Sequence, residues 1–166
     1  MPHSFDVLAE APVSVQQIHA AFAREDYWHD RLSGDAATTL DSLDVDDDGS
    51  VAVHITQHLG RQVLPAMVAR AVPADLQLRY RETWRPVGDG SVRGTAEVSA
   101  SGGLGSSRAE NWLAPTGDAS RLRSAVRVEV KIPLMGRQLE KMIANSLSNS
   151  IPEVLRYTTT WITAHG

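Results

Sequence analysis

The last thirty residues constrain this fold most. Beyond Ile132-Pro133-Leu134-Met135-Gly136 the sequence turns helical to its end, with apolar residues at Leu139, Met142, Ile143, Leu147, Ile151, Val154, Leu155 and Ile162. Spacings of three and four put these side chains on one stripe of a helix. The segments before it, from about residue 38, read as strands joined by turns. A lone amphipathic helix must bury its stripe on the sheet that precedes it, and a sheet curled around such a helix can enclose an apolar space. Pro152 cannot donate to residue 148. It predicts either a kink or a stop near Asn149-Ser150, with a new helix begun close to Pro152.

The preceding chain supplies the sheet. Residues 3–10 alternate Phe5, Val7 and Ala9 against Ser4, Asp6 and Leu8, a first strand. Ser14-Val15-Gln16-Gln17 fits a capping box that opens a helix with Val15, Ile18, Ala21 and Phe22 on its apolar face. A second short helix is expected from Glu25 to Leu32, ending near Gly34, a reasonable C′ residue. Segments 38–46 and 50–59 form a hairpin through Asp47-Asp48-Gly49, with Val51, Val53, Ile55, Gln57 and Leu59 on one face. Residues 62–72, around Pro65, read as a loop with one helical turn, a lid or cavity wall. In 75–86, Leu76, Leu78, Tyr80, Glu82 and Trp84 share a face. Val92, Gly94, Ala96, Val98 and Ala100 follow, then a strand near 107–114. Either Asn111/Leu113 or Glu110/Trp112 can be its inner pair. A last strand, 120–132, points Leu122, Ser124, Val126, Val128, Val130 and Ile132 inward. Segregated helices and a meandering antiparallel sheet of six to seven strands define an α+β chain, expected to be one domain over 1–166.

Composition excludes several classes of function. With no cysteine among 166 residues, disulfides, thiolate nucleophiles and thiolate metal sites are ruled out. The net charge of −4 and the scattered Lys and Arg argue against nucleic acid as a partner. No apolar run approaches the roughly 20 residues that span a bilayer, and the start lacks a signal-peptide pattern. The expectation is a cytoplasmic protein without stable membrane insertion, either monomer or homodimer.

The chemical motifs are weak. Asp44-x-Asp46-x-Asp48-Gly49 imitates half of a calcium loop, but the position that needs a bidentate Glu is Ile55. His54 and His58 lack the His-Glu-x-x-His pattern and stand about 13 Å apart on a strand, at roughly 3.3 Å per residue. Neither predicts a metal site. Gly102-Gly103-Leu104-Gly105 is not followed by Lys-Ser/Thr, and no Gly-x-Ser-x-Gly elbow exists. His19 is expected to be a partly buried, hydrogen-bonded helix residue. Glu82 is the one carboxylate on an apolar strand face, where burial would raise its pKa and suit a general acid or a ligand hydrogen bond.

The order of elements resembles the START-like SRPBCC superfamily, the helix-grip fold. The resemblance is carried by Ala11-Pro12-Val13-Ser14-Val15, by Trp28 and by the turn Val130-Lys131-Ile132-Pro133-Leu134-Met135-Gly136. More closely, Gln17-Ile18-His19-Ala20-Ala21-Phe22, Glu25-Asp26-Tyr27-Trp28, Glu82-Thr83-Trp84 and Thr158-Thr159-Thr160-Trp161-Ile162 are similar to an actinobacterial family of uncharacterised proteins in that superfamily. The resemblance spans essentially the whole chain and implies a curved sheet gripping the C-terminal helix. It also implies binding of lipids, sterols, polyketides or other apolar molecules between them, with cyclases and hydrolases among the members. It brings no catalytic residues to this chain.

The first expectation is therefore a binding protein for an apolar small molecule, with no cofactor and no metal. Its candidate ligand-binding residues are Val53, Ile55, Leu78, Tyr80, Glu82, Trp84, Val98, Asn111, Val126 and Val128 on the sheet, with Met142, Leu147 and Ile151 on the helix. The second is a cyclase- or dehydratase-type enzyme that uses Glu82. The third is an interaction module with a packed core, dimerising through a sheet edge or the segment around Met67. The small residues at 94, 96 and 100 leave space opposite the helix, which Trp84, Tyr80 and the helix methionines are large enough to fill.

Overall fold

The computed structural model describes residues 2–34, 37–60, 62, 64, 66–71 and 75–165. Strand β1 (His3–Ala11) is followed by helices α1 (Val15–Phe22) and α2 (Glu25–Leu32). Next come β2 (Thr38–Val45), β3 (Val51–Leu59), a short helix α3 (Ala66–Ala71), β4 (Leu76–Pro86), β5 (Val92–Ala100), β6 (Gly105–Thr116) and β7 (Ala119–Val130). Helix α4 (Gly136–His165) closes the chain. The seven strands form one antiparallel sheet in the order β1-β7-β6-β5-β4-β3-β2. Only the β1–β7 pairing is non-sequential, with His3 opposite Val128 and Ala11 opposite Ser120. α1 and α2 carry the chain from one sheet edge to the other.

Local chemistry sets the boundaries. The capping box is formed, with Gln17 N–H donating to Ser14 Oγ at 3.1 Å and Ser14 N–H to Gln17 Oε1 at 2.9 Å. Gly49, at φ 87°, takes the left-handed position of the β2–β3 turn, closed by Asp46 N–H to the Ser50 carbonyl at 2.9 Å. α2 spans Glu25–Leu32 as expected, with Gly34 just past its cap. Its cap is Ser33 in the right-handed region, with N–H and hydroxyl both donating to the Asp30 carbonyl, and Gly34 is not left-handed. Pro152 neither stops nor divides the last helix, which runs unbroken over Gly136–His165. One missing backbone donor is tolerated because both ends of the helix are packed and thirty residues propagate the rest.

The alternation defines the faces. Ala109, Asn111 and Leu113 are buried, so the inner pair on β6 is Asn111/Leu113. Trp112 lies outward beneath Arg123, whose guanidinium is 5.0 Å from its ring. The large side chains gather at the end of the sheet where α1 and α2 pack. There Phe22, Tyr27, Trp28, Trp84 and Trp161 join Ile18, Val51, Val53, Leu113 and Ile162 in one buried cluster. Each polar handle is satisfied. Trp28 Nε1 donates to the Phe22 carbonyl at 2.8 Å, Trp161 Nε1 to Asp30 at 2.8 Å, and Trp84 Nε1 to Glu82 at 2.9 Å. Gly94 admits the Trp84 ring, since a Cβ there would lie 2.6 Å from Trp84 Cε3 and from the Thr83 carbonyl oxygen. The space expected beside residue 94 is therefore filled by Trp84.

Candidate functional site

With the aromatics at one end, the other end of the grip is left with smaller side chains and a cavity of about 430 Å3. It lies between the sheet and the first half of α4, where β4–β7 contribute Leu78, Tyr80, Val98, Ala100, Val128 and Val130. The helix contributes Leu139, Met142, Ile143 and Leu147, and Ile132 enters from the loop before it. Leu64 and Val68 of the α3 segment add a wall at the mouth, as the lid reading anticipated. Pro65, and the side chain of Met67, which the dimer expectation invoked, lie outside the described residues. Polar groups on the lining are few: Tyr80, Ser106, Ser107, Glu129 and Ser146. The Tyr80 hydroxyl donates to Gln57 Oε1 at 2.9 Å, which fixes its ring on the wall. An apolar concavity of this size with a few oriented polar groups is suited to a small organic ligand.

The cavity stays open because the helix is held at both ends. Toward its C-terminus, Leu155, Thr158, Trp161 and Ile162 are buried, the leucine and the last two in the aromatic cluster. Toward its N-terminus, Glu140 is only 3% exposed and its Oε2 accepts the Val130 N–H at 2.9 Å. That carboxylate pins the first turns of α4 to the end of β7 with a charge-assisted hydrogen bond. Between these anchors Met142 and Ile143 remain 44% and 38% exposed. The sequence reading did not single out Glu140. Its position beside Leu139 on the inner stripe was the available signal.

The structure separates the candidate residues into two groups. Leu78, Tyr80, Val98, Val128, Met142 and Leu147 line the cavity. Val53, Ile55 and Trp84 sit in the aromatic cluster, Val126 packs with Ala109 and Val128, and Ile151 bridges the two clusters. Asn111 is buried on β6 outside the lining. Glu82 is also outside it, half-buried, its Oε1 accepting the Trp84 indole N–H. Lining residues the sequence reading left out as a site include Leu59, Leu76, Ala100 and Leu139, each already on an inward face by alternation or helical spacing.

A polar group of residues stands behind the aromatic cluster. The Tyr27 hydroxyl and Thr158 Oγ1 share a 2.6 Å hydrogen bond, and the Thr158 hydrogen goes to the Val154 carbonyl at 2.8 Å. Burial pushes the Tyr27 phenol above its ordinary 10.0, against Arg31 and Thr158, which pull it down. Arg31 lies 4.8 Å over the Trp28 ring. Burial works against its charge, and facing Tyr27 and Glu82 outweigh that and hold it above its ordinary value. His19 is half-buried, its Nε2 without a hydrogen-bond partner, where a hydrogen-bonded ring was expected. His54 Nδ1 instead meets Ser42 Oγ at 3.1 Å. Asp48 caps its own turn by accepting the Ser50 N–H at 2.9 Å. A second concavity, of about 490 Å3, on the outer face is lined by Arg81, Arg85, Arg93, Thr83, Glu110 and Trp112 among others. Its mixed charges offer no apolar enclosure, and the candidate site is the inner cavity.

A curved seven-stranded sheet gripping a long C-terminal helix, with two short helices after the first strand, is a helix-grip fold, as the superfamily resemblance implied. Solved structures agree. The chain is similar to an aromatase/cyclase from Streptomyces sp. R1128, at TM-score 0.61 and 8% identity over 98% of this chain and 94% of that one. It is also similar to Ara h 8.0201, at 0.58 and 11% over 99% and 100%, and to a Thermus thermophilus protein, TTHA0849, at 0.57 and 13% over 98% of both. Identities this low show the fold alone. Residues 6–162 match the family described as "Protein of unknown function (DUF2505)", and the chain belongs to that family. Uncharacterised proteins of Mycobacterium tuberculosis (H37Rv) and Mycobacterium bovis are 35% identical to it over 175 residues, covering 98% of each chain. These mycobacterial relatives fit the actinobacterial family read from the sequence. Among the described residues no helix is long and apolar enough to cross a membrane.

Proposed function

We propose that this protein binds an apolar small molecule in the cavity between β4–β7 and the first half of α4. The observation that carries the reading is the cavity of about 430 Å3 with walls made chiefly of Leu, Val, Ile, Ala and Met side chains. Burying ligand carbon there contributes about 25 cal/mol per Å2 before ordering costs. Ser107 and Ser146 offer hydrogen bonds that orient a single carbonyl or hydroxyl on an otherwise apolar ligand, and Tyr80, whose proton goes to Gln57, can accept one from a ligand hydroxyl. That one solved structure of this fold is an aromatase/cyclase supports a small organic occupant.

Catalysis by Glu82 draws no support from the geometry. Its carboxylate is committed to Trp84 and does not line the cavity. Native mass spectrometry of the protein purified from its own cells, followed by organic extraction, tests the binding reading. The expected result is a stoichiometric apolar passenger released by solvent. A protein that arrives empty and takes up none of a panel of apolar probes contradicts it.

A further inference from the structure

The two ends of the sheet differ in charge. The hairpin turns at the aromatic end carry Asp46, Asp47, Asp48, Asp89 and Asp118, all exposed, with Asp44 just before the first. Arg85 and Arg93 offset part of this charge, each pulling down the pKa of a neighbouring aspartate. The cavity end carries the opposite sign. Arg137 and Lys141, on the helix turns that line the cavity, are exposed and have no ion-pair partner among the described residues. Exposed Lys131 lies 3.9 Å from Glu129, and exposed Arg70 follows the lining residue Val68 on α3. Among the described residues, the acidic groups at this end are Glu129, Asp75 and the buried Glu140. A chain of net charge −4 thus presents exposed cations, Arg137 and Lys141, unpaired among the described residues, at its cavity end.

The same end exposes apolar surface in an unusual way. Leu134 stands between the lining residues Ile132 and Leu139, its side chain fully exposed at 106%. It is the one non-glycine residue with positive φ among those described, at 71°. Leucine disfavours that conformation, and water disfavours that side chain. Met142 and Ile143 on the adjoining helix turns, lining the cavity, are also exposed. An apolar tip with cations beside it, at the mouth of an apolar cavity, fits an anionic lipid surface. Headgroups take the cations and the acyl boundary takes the leucine.

We propose that the cavity end is an interfacial docking surface for anionic membranes, with Leu134 as its inserted tip and Arg137 and Lys141 as its headgroup contacts. The acidic tips at the far end orient the mouth toward the membrane, because they are repelled by it. Docking in this pose places the cavity mouth against the lipid, where an apolar molecule passes between bilayer and protein without crossing water. The inference goes beyond ligand binding, and the two fail separately. Leu134-dependent docking of a protein that takes up no ligand removes the ligand reading alone. Ligand uptake without docking removes this one alone.

Co-sedimentation of the full chain with phosphatidylcholine vesicles, with and without phosphatidylglycerol, tests it. Binding is expected to the anionic vesicles, with a weaker signal on phosphatidylcholine alone and a loss as salt rises. Leu134→Asp is expected to abolish it. Leu134→Gly removes the apolar tip while relieving the positive φ. It should lose about tenfold in partitioning and keep or raise thermal stability, which separates docking from folding. Arg137→Ala with Lys141→Ala should lose about 25-fold, about fivefold per cation. Absence of binding to either vesicle overturns the proposal. So does binding unchanged in the Leu134 variants, which would put the contact elsewhere, or a Leu134-dependent association found with a protein partner and not with vesicles.

Discussion

Ala100→Leu distinguishes an open cavity from a packed core by the sign of one stability change. Ala100 ends β5, pairs with Leu78 across β4, and lines the cavity. Leucine adds three carbons at this position. If they enter open space, each removes a methylene's worth of apolar surface from water, at about 0.8 kcal/mol apiece. The upper bound is about 2.4 kcal/mol, and Ala100 is only half-buried, so a gain of about 1–2 kcal/mol is expected. Against a packed core the same carbons force neighbours off their rotamers and cost about 1–3 kcal/mol. Urea unfolding at a slope of about 2 kcal/mol per M turns the expected gain into a midpoint raised by about 0.5–1 M. The same variant should weaken uptake of an apolar probe such as anilinonaphthalene sulfonate by about tenfold, because the side chain occupies part of the site. A midpoint that falls, with probe uptake unchanged, refutes the cavity argument.

Three further outcomes follow from the packing. Glu140→Ala should cost about 1.5–3 kcal/mol in denaturant unfolding, because it orphans the Val130 N–H at the buried anchor of α4, and Glu140→Gln should recover most of it. Gly94→Ala should cost about 1–3 kcal/mol by driving a methyl into the Thr83 carbonyl and the Trp84 ring, read as a lowered urea midpoint. Tyr27 gives the protein an alkaline limb. Its phenol ionises near 10.0 when unfolded and at higher pH when folded, so its contribution is complete below pH 10 and is lost as pH rises beyond that. Tyr27→Phe should flatten this limb in pH-dependent unfolding. It should cost about 1 kcal/mol at neutral pH, since the Thr158 hydroxyl keeps its bond to Val154.

The elements were legible in the sequence because their signals are local. A capping box at Ser14–Gln17, an Asp-Gly turn at Asp48-Gly49 and strict alternation along β4, β5 and β7 each fix a few residues without reference to the rest of the chain. The inner face of β6 was not legible, because an outward tryptophan looks wrong until two arginines, at 93 and 123, are seen over its ring. The position of the cavity was equally hidden. It depends on where α1 and α2 deliver Phe22, Tyr27 and Trp28, which is a long-range outcome. Trp84 and Glu82 share a face with Leu78 and Tyr80, so alternation alone assigns all four to one site. Trp84 goes to the aromatic cluster with Glu82 held by its indole N–H, Leu78 lines the cavity, and Tyr80 lines it while packing against the cluster. Pro152 misled in the other direction, since propensity penalises a helix interior that tertiary packing holds intact.

Apolar molecules are expected to enter one end of the grip and no other part of the interior. Methyl carbon–proton correlation spectra recorded during a naphthalene titration test it most directly, because ring currents mark the methyls that touch the ligand. Saturable shifts are expected at Leu78, Val98, Val128 and Leu147, with Val15, Ile18 and Val51 in the aromatic cluster unmoved. Shifts confined to the aromatic cluster, or none at saturation, would contradict it.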